Sequence, residues 1–145
     1  MAEGFFDAEN DIPEELTPYQ IGDIMKKSIR RTIIQTKEFS RNWDNLCFND
    51  DDLRRLEYEI MSNPDAYPIM RGTGGLRKVR MAMNNKGKSG SARVCFVDFE
   101  SEECMFLITV YEKKDKANLS MSERREIKAA IEMLKNSLGG KKNGK

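Results

Sequence analysis

A chain of 145 residues has the size of one domain with room for a real core. Charged residues make up 34% of it while the formal net charge is only +1, so the distribution of charge carries the information rather than its total. Histidine is absent, which excludes His-based nucleophile–base pairs, His-based acid–base catalysis and most zinc sites. Any chemistry must then use Lys, Arg, Tyr, Asp or Glu, and no metal or cofactor is expected. No apolar run approaches the roughly 18–20 residues that span a bilayer. The acidic N-terminus lacks the charged-then-apolar layout of a secretory signal, so a cytoplasmic location is expected. Cys47, Cys95 and Cys104 are odd in number and have no CxxC spacing. They read as buried reduced thiols, the alternative being a Cys95–Cys104 bridge across a hairpin.

In chain order, residues 1–16 carry Glu3, Asp7, Glu9, Asp11, Glu14 and Glu15 and no base, an acidic segment expected to be disordered. It reads either as a solubilising tail or as a cover lying across a basic surface elsewhere in the chain. Residues 17–31 predict an additional amphipathic helix: Thr17 caps, Pro18 fits the first helical position, and Ile21, Ile24, Met25 and Ile29 fall at helical spacing. Thr32 to Thr36 is β-branched and short, a strand. Phe39, Trp43 and Leu46 mark a short helix. Asn49, followed by three aspartates, caps another that turns Leu53, Leu56 and Ile60 inward and stops at Asn63-Pro64.

Next comes a stretch from Arg71 to Val97 with seven cations and no acid: Arg71, Arg77, Lys78, Arg80, Lys86, Lys88 and Arg93. Gly72, Gly74 and Gly75 read as a flexible lead-in, Leu76 to Met83 as a strand, Asn84 to Ser91 as a loop, and Ala92 to Phe99 as a second strand. Such a basic hairpin with a Gly/Ser-rich, Lys-bearing tip suits a phosphate backbone. Glu100 to Glu103 form a turn. Cys104 to Glu112 is the most apolar run and predicts a central strand. Lys113 to Asn118 is a polar loop. Ser120 and Glu123 offer a capping box for a helix with Ile127, Ala130, Ile131, Leu134 and Leu138 on one face and Gly139 as C-cap. Residues 139–145 read as a basic disordered tail. The order helix, strand, two helices, three strands, helix predicts an α+β fold: an antiparallel-rich sheet with helices against one face.

The segments IMSNPDAYPIMRGTGGLRKVRMA, NKGKSGSARV and LITVYEKKDKANLSMSERREI, in this order and spacing, resemble the RelE/HigB family of bacterial toxins, most closely its HigB-like branch. The resemblance covers residues 32–138. It implies a small sheet flanked by helices, messenger-RNA cleavage on the ribosome, and a cognate antitoxin of helix-turn-helix type, with operator DNA contacted only through that antitoxin. There are departures. Residues 1 to about 31 precede the usual start, Ser91 stands where a second glycine is common, Phe96 stands near a frequent tyrosine position, and Leu119 occupies the place of a tyrosine that contributes to cleavage in some relatives.

Metal-independent RNA cleavage uses the 2′-hydroxyl as nucleophile. The site must orient that oxygen, accept its proton, stabilise the dianionic phosphorane and protonate the leaving 5′-oxygen. Lys78 and Arg80 lie two apart on a strand and so share a face, while Val79, Met81 and Met83 take the other. The resemblance implies that Lys78, Arg80, Arg93 and Lys113 carry the chemistry: Lys78 or Arg80 as base, Arg93 as phosphate clamp, Lys113 as a late cation. Arg77, Lys86, Lys88 and Lys116 are expected to bind RNA backbone. Tyr111 reads as a core or edge aromatic. The competing reading is a non-catalytic binder on the same fold, either an RNA-binding module or a ParE-like gyrase inhibitor, since fold alone does not fix activity.

Overall fold

All nine residues of CMFLITVYE are buried, so this segment needs a neighbour strand on each side and a layer over each face. A computed structural model supplies both. It describes residues 31–83 and 90–142, with side chains through residue 139. The acidic segment, the expected helix at 17–31 apart from Arg31, and the hairpin tip with Lys86 and Lys88 lie outside the described residues.

The elements run β1 (Thr32–Gln35), α1 (Lys37–Asn45), α2 (Asp50–Ser62), a 3-10 turn (Pro64–Ala66), β2 (Leu76–Ala82), β3 (Ser91–Phe99), a second 3-10 turn (Glu100–Glu102), β4 (Cys104–Glu112) and α3 (Met121–Lys142). They form an α+β fold around a four-stranded sheet of order β1-β4-β3-β2. The β2–β3–β4 meander is antiparallel, whereas β1 lies parallel to β4. The expectation of helices against one face is corrected: they cover both. Phe39, Trp43, Leu56 and Ile60 of α1 and α2 pack on Val79, Val94, Phe96, Leu107 and Val110. On the other face, Ile131 of α3 and Leu119 pack with Leu76, Val97, Phe106 and Ile108. The reason is visible in β3 and β4, which are apolar on successive residues and therefore on both sides.

The expected caps form at Asn49 and Ser120, and Thr36, expected as the last residue of the first strand, adds a third. Thr36 Oγ1 accepts from the Phe39 amide at 3.1 Å and donates to the Ile108 carbonyl at 2.7 Å, joining the start of α1 to the sheet. Asn49 and Asp52 make a reciprocal capping box on α2, as do Ser120 and Glu123 on α3. Gly139 does not cap α3, which runs through it to Lys142. The glycine-rich lead-in to β2 is a pinned turn: Thr73 is fully buried, and its Oγ1 donates to the Met70 carbonyl and accepts from the Leu76 amide. Gly72 and Gly74 take left-handed φ values of 77° and 76°, which makes that turn possible. At the start of β1, Arg31 holds Asp98 through two nitrogens at 2.6 and 3.1 Å, both side chains being buried.

Cys47 is exposed, correcting the expectation of a buried thiol, and the three thiols are free. Its φ of 65° is left-handed. It terminates α1 in a Schellman arrangement: the Cys47 amide bonds Asp44 O, the Phe48 amide bonds Trp43 O, and the Trp43 and Phe48 rings stack 4.4 Å apart. A side chain there carries strain that glycine lacks. Cys47→Gly should therefore raise stability by about 1 kcal/mol, read from the urea midpoint at constant m-value. A lowered midpoint would contradict this account of the turn.

Candidate functional site

The site is built by strand register. In the β2–β3 ladder Lys78 opposes Cys95 and Arg80 opposes Arg93; in the β3–β4 ladder Arg93 opposes Tyr111. Residues directly opposite share a face with Cβ atoms about 5 Å apart. Arg80, Arg93 and Tyr111 therefore form one row across three strands, with Lys78 beside Arg80 on the same face. This is the α3 side of the sheet. Farther along that face, Leu76, Val97 and Phe106 are buried in the core that holds Ile131, whereas Lys78 and Arg93 are half-buried and Arg80 is exposed. A register irregularity between Cys95 and Phe96 separates the charged end of the ladder from the covered end.

Two arginines directly opposite one another repel. None of the ion pairs among the described residues involves Lys78, Arg80, Arg93 or Lys113. The Arg93 guanidinium turns along its own strand, one nitrogen donating to Ser91 Oγ at 2.8 Å and more weakly to the Ala92 carbonyl at 3.4 Å. Lys113 is exposed, and its amide donates to Ser91 O at 2.9 Å, which fixes it at the same end of the sheet. The four residues expected to carry chemistry thus gather at one end, three of them on one face.

The expected backbone binders separate. Arg77 opposes Phe96, on the α1–α2 side of the sheet. There its guanidinium donates to the Tyr67 carbonyl at 2.5 Å and to Asp65 at 3.3 Å. The structure does not bring it to the cluster, and period-two alternation from Lys78 already signals this. Lys116 is close to the cluster but engaged: its Nζ lies 2.5 Å from Glu123 Oε2 and 5.0 Å from the centre of the Tyr111 ring. The Lys116 hydrogen bond and the Ser120 amide hold the Glu123 carboxyl below its usual range. Leu119 is buried in the same apolar cluster as Tyr111.

Tyr111 is a core aromatic, as expected, and shares the row with the two arginines. It is 7% exposed, and among the described residues its hydroxyl has no hydrogen-bond partner. Burial pushes its phenol up to about 12, Cys95 adding to the rise and Arg93 opposing it. Burial likewise pushes the Cys95 thiol up to about 12, against the pull of Lys78 and Lys116. Well below pH 9 both groups are protonated whether the chain is folded or not. Between their ordinary values of 9.0 and 10.0 and about 12, the unfolded chain gives up protons that the folded chain keeps. Stability must therefore fall as pH rises through that window. The urea midpoint should decline across it, and less steeply in Cys95→Ala; an equal slope in the variant would exclude the thiol as a contributor.

A family model described as the RelE toxin of the RelE/RelB toxin–antitoxin system matches residues 31–139, well over half of the chain. The chain belongs to the RelE toxin family. A solved structure of the Escherichia coli toxin RelE, a double arginine-to-alanine mutant in the free state, aligns with 14% identity and a TM-score of 0.44. The alignment covers 61% of this chain and 88% of that one. Membership in a RelE family makes this protein the toxin half of a toxin–antitoxin pair, with a cognate antitoxin as its partner. The matched region starts at Arg31, where the buried pair with Asp98 begins the described fold. Among the described residues of this RelE-family toxin, no helix is long and apolar enough to cross a membrane.

Proposed function

We propose that this RelE-family toxin, read as a member of the HigB-like branch, is a ribosome-dependent endoribonuclease that cuts messenger RNA by attack of a 2′-hydroxyl. The observation that carries the proposal is the row Arg80–Arg93 with Lys78 beside it, cations on one face that enter no ion pair among the described residues. A phosphodiester supplies the missing negative charge, and the dianionic phosphorane supplies more of it, so the arrangement favours the transition state over the ground state. Arg93 clamps the phosphoryl oxygens; its planar fork suits two of them. Lys78 is the better candidate than Arg80 for accepting the 2′-hydroxyl proton: it does so as the neutral amine, after losing a proton to solvent, whereas a guanidinium keeps its protons. Arg80 then orients the phosphate, and Lys113 supplies positive charge at the departing 5′-oxygen. Attack forms the 2′-oxygen–phosphorus bond and breaks the bond to the 5′-oxygen, leaving a cyclic phosphate and a 5′-hydroxyl. The Lys113 ammonium gives the departing 5′-oxygen its proton as Lys78 holds the one taken from the 2′-hydroxyl.

The partner is proposed to be a helix-turn-helix antitoxin, which would bring the pair to operator DNA. The test is a translation extract with a defined message. Cuts within codons that require ribosomes support the proposal. An intact message with gyrase-dependent DNA breaks would establish the ParE-like alternative instead.

A further inference from the structure

Tyr111 does not fit a purely structural role. Phenylalanine would fill the same space without burying an unsatisfied hydroxyl, which costs stability. Its position is specific: directly across the ladder from Arg93, under the ammonium of Lys116, which is itself drawn aside by Glu123. Lys116 and Glu123 are each more than a third exposed, so their ion pair is open to competition from a solvent-borne anion.

We propose that the Tyr111 hydroxyl is a further RNA contact, covered in the free toxin by the Lys116–Glu123 pair and opened when an RNA phosphate takes Lys116 from Glu123. This rests on the endoribonuclease reading and adds to it a residue and a gate. The phenol then donates its O–H to a non-bridging phosphoryl oxygen beside the one held by Arg93. It acts as a neutral donor, because burial keeps its proton in place well above neutral pH. No proton need be transferred; the group positions and stabilises charge. The arrangement also explains why the gate is an ion pair rather than an apolar plug: only an anionic ligand can bid for the ammonium.

The experiment uses the full chain, programmed ribosomes, and two messages, one cleavable and one with a 2′-deoxy nucleotide at the cut site. Tyr111→Phe should melt at or above the parental temperature while cutting about 10-fold or more slowly in single turnover. Glu123→Gln keeps the capping box of α3 but releases Lys116. It should bind the deoxy message more tightly than the parent, most clearly at low salt. A parental rate in Tyr111→Phe overturns the contact, and unchanged binding in Glu123→Gln overturns the gate. Arg93→Ala separates these outcomes from failure of the underlying reading. If the parent itself does not cut, or Arg93→Ala cuts equally well, the reading has failed. If Arg93→Ala is inactive and Tyr111→Phe is normal, only the Tyr111 contact has.

Discussion

Arg93→Ala should cut message roughly 100-fold more slowly or worse, because a charge-assisted contact to a developing phosphorane is worth a few kcal/mol. The fold should survive. Arg93 sits on an interior strand rather than at a hairpin edge, yet its guanidinium contributes to neither apolar cluster. Its hydrogen bonds are local, to Ser91 and Ala92. Removing it also relieves repulsion with Arg80 across the ladder. Thermal melting should therefore show equal or slightly higher stability, while growth inhibition is lost. A folded variant that cuts at the parental rate would remove Arg93 from the site, and with it the main support for the cationic row as a catalytic device.

Phe96→Ala should do the opposite, damaging the fold wherever the chemistry lies. Phe96 is fully buried in the cluster beneath α1 and α2, and Tyr67 meets its ring edge-on with centroids 5.8 Å apart. It lies between Arg77 on β2 and Leu107 on β4, where neighbouring backbones hold the cavity open. The expected loss is about 3–5 kcal/mol, a large share of the stability of a domain this size. Urea unfolding measures it directly. A loss below about 1 kcal/mol would mean that the two helices close over the gap. Because Phe96 faces away from Arg80 and Arg93, its removal leaves the face of the cationic row untouched.

Local features were legible because their geometry is set within a few residues. The caps at Asn49 and Ser120 follow from one side chain reaching an amide three residues on. Lys78 and Arg80 share a face because a strand repeats every two residues. The central place of β4 followed from its unbroken apolar run. The end of α3 was not legible, since the Gly139 backbone stays helical and glycine only permits a stop without imposing one.

By itself, then, the sequence determined the elements from β1 to α3, the clustering of cations, the absence of histidine chemistry and the family. The tertiary structure decided which cations meet. It set Arg93 opposite Arg80, carried Tyr111 into the same row from a strand that composition assigns to the core, turned Arg77 to the far face, and paired Lys116 with Glu123. It also placed β1 parallel beside β4 and helices on both faces. The physical reason is that strand register is not a local quantity. A slip of one residue would exchange the faces of an entire strand. The register that wins buries two apolar surfaces at once, and that balance is struck between residues far apart in the chain.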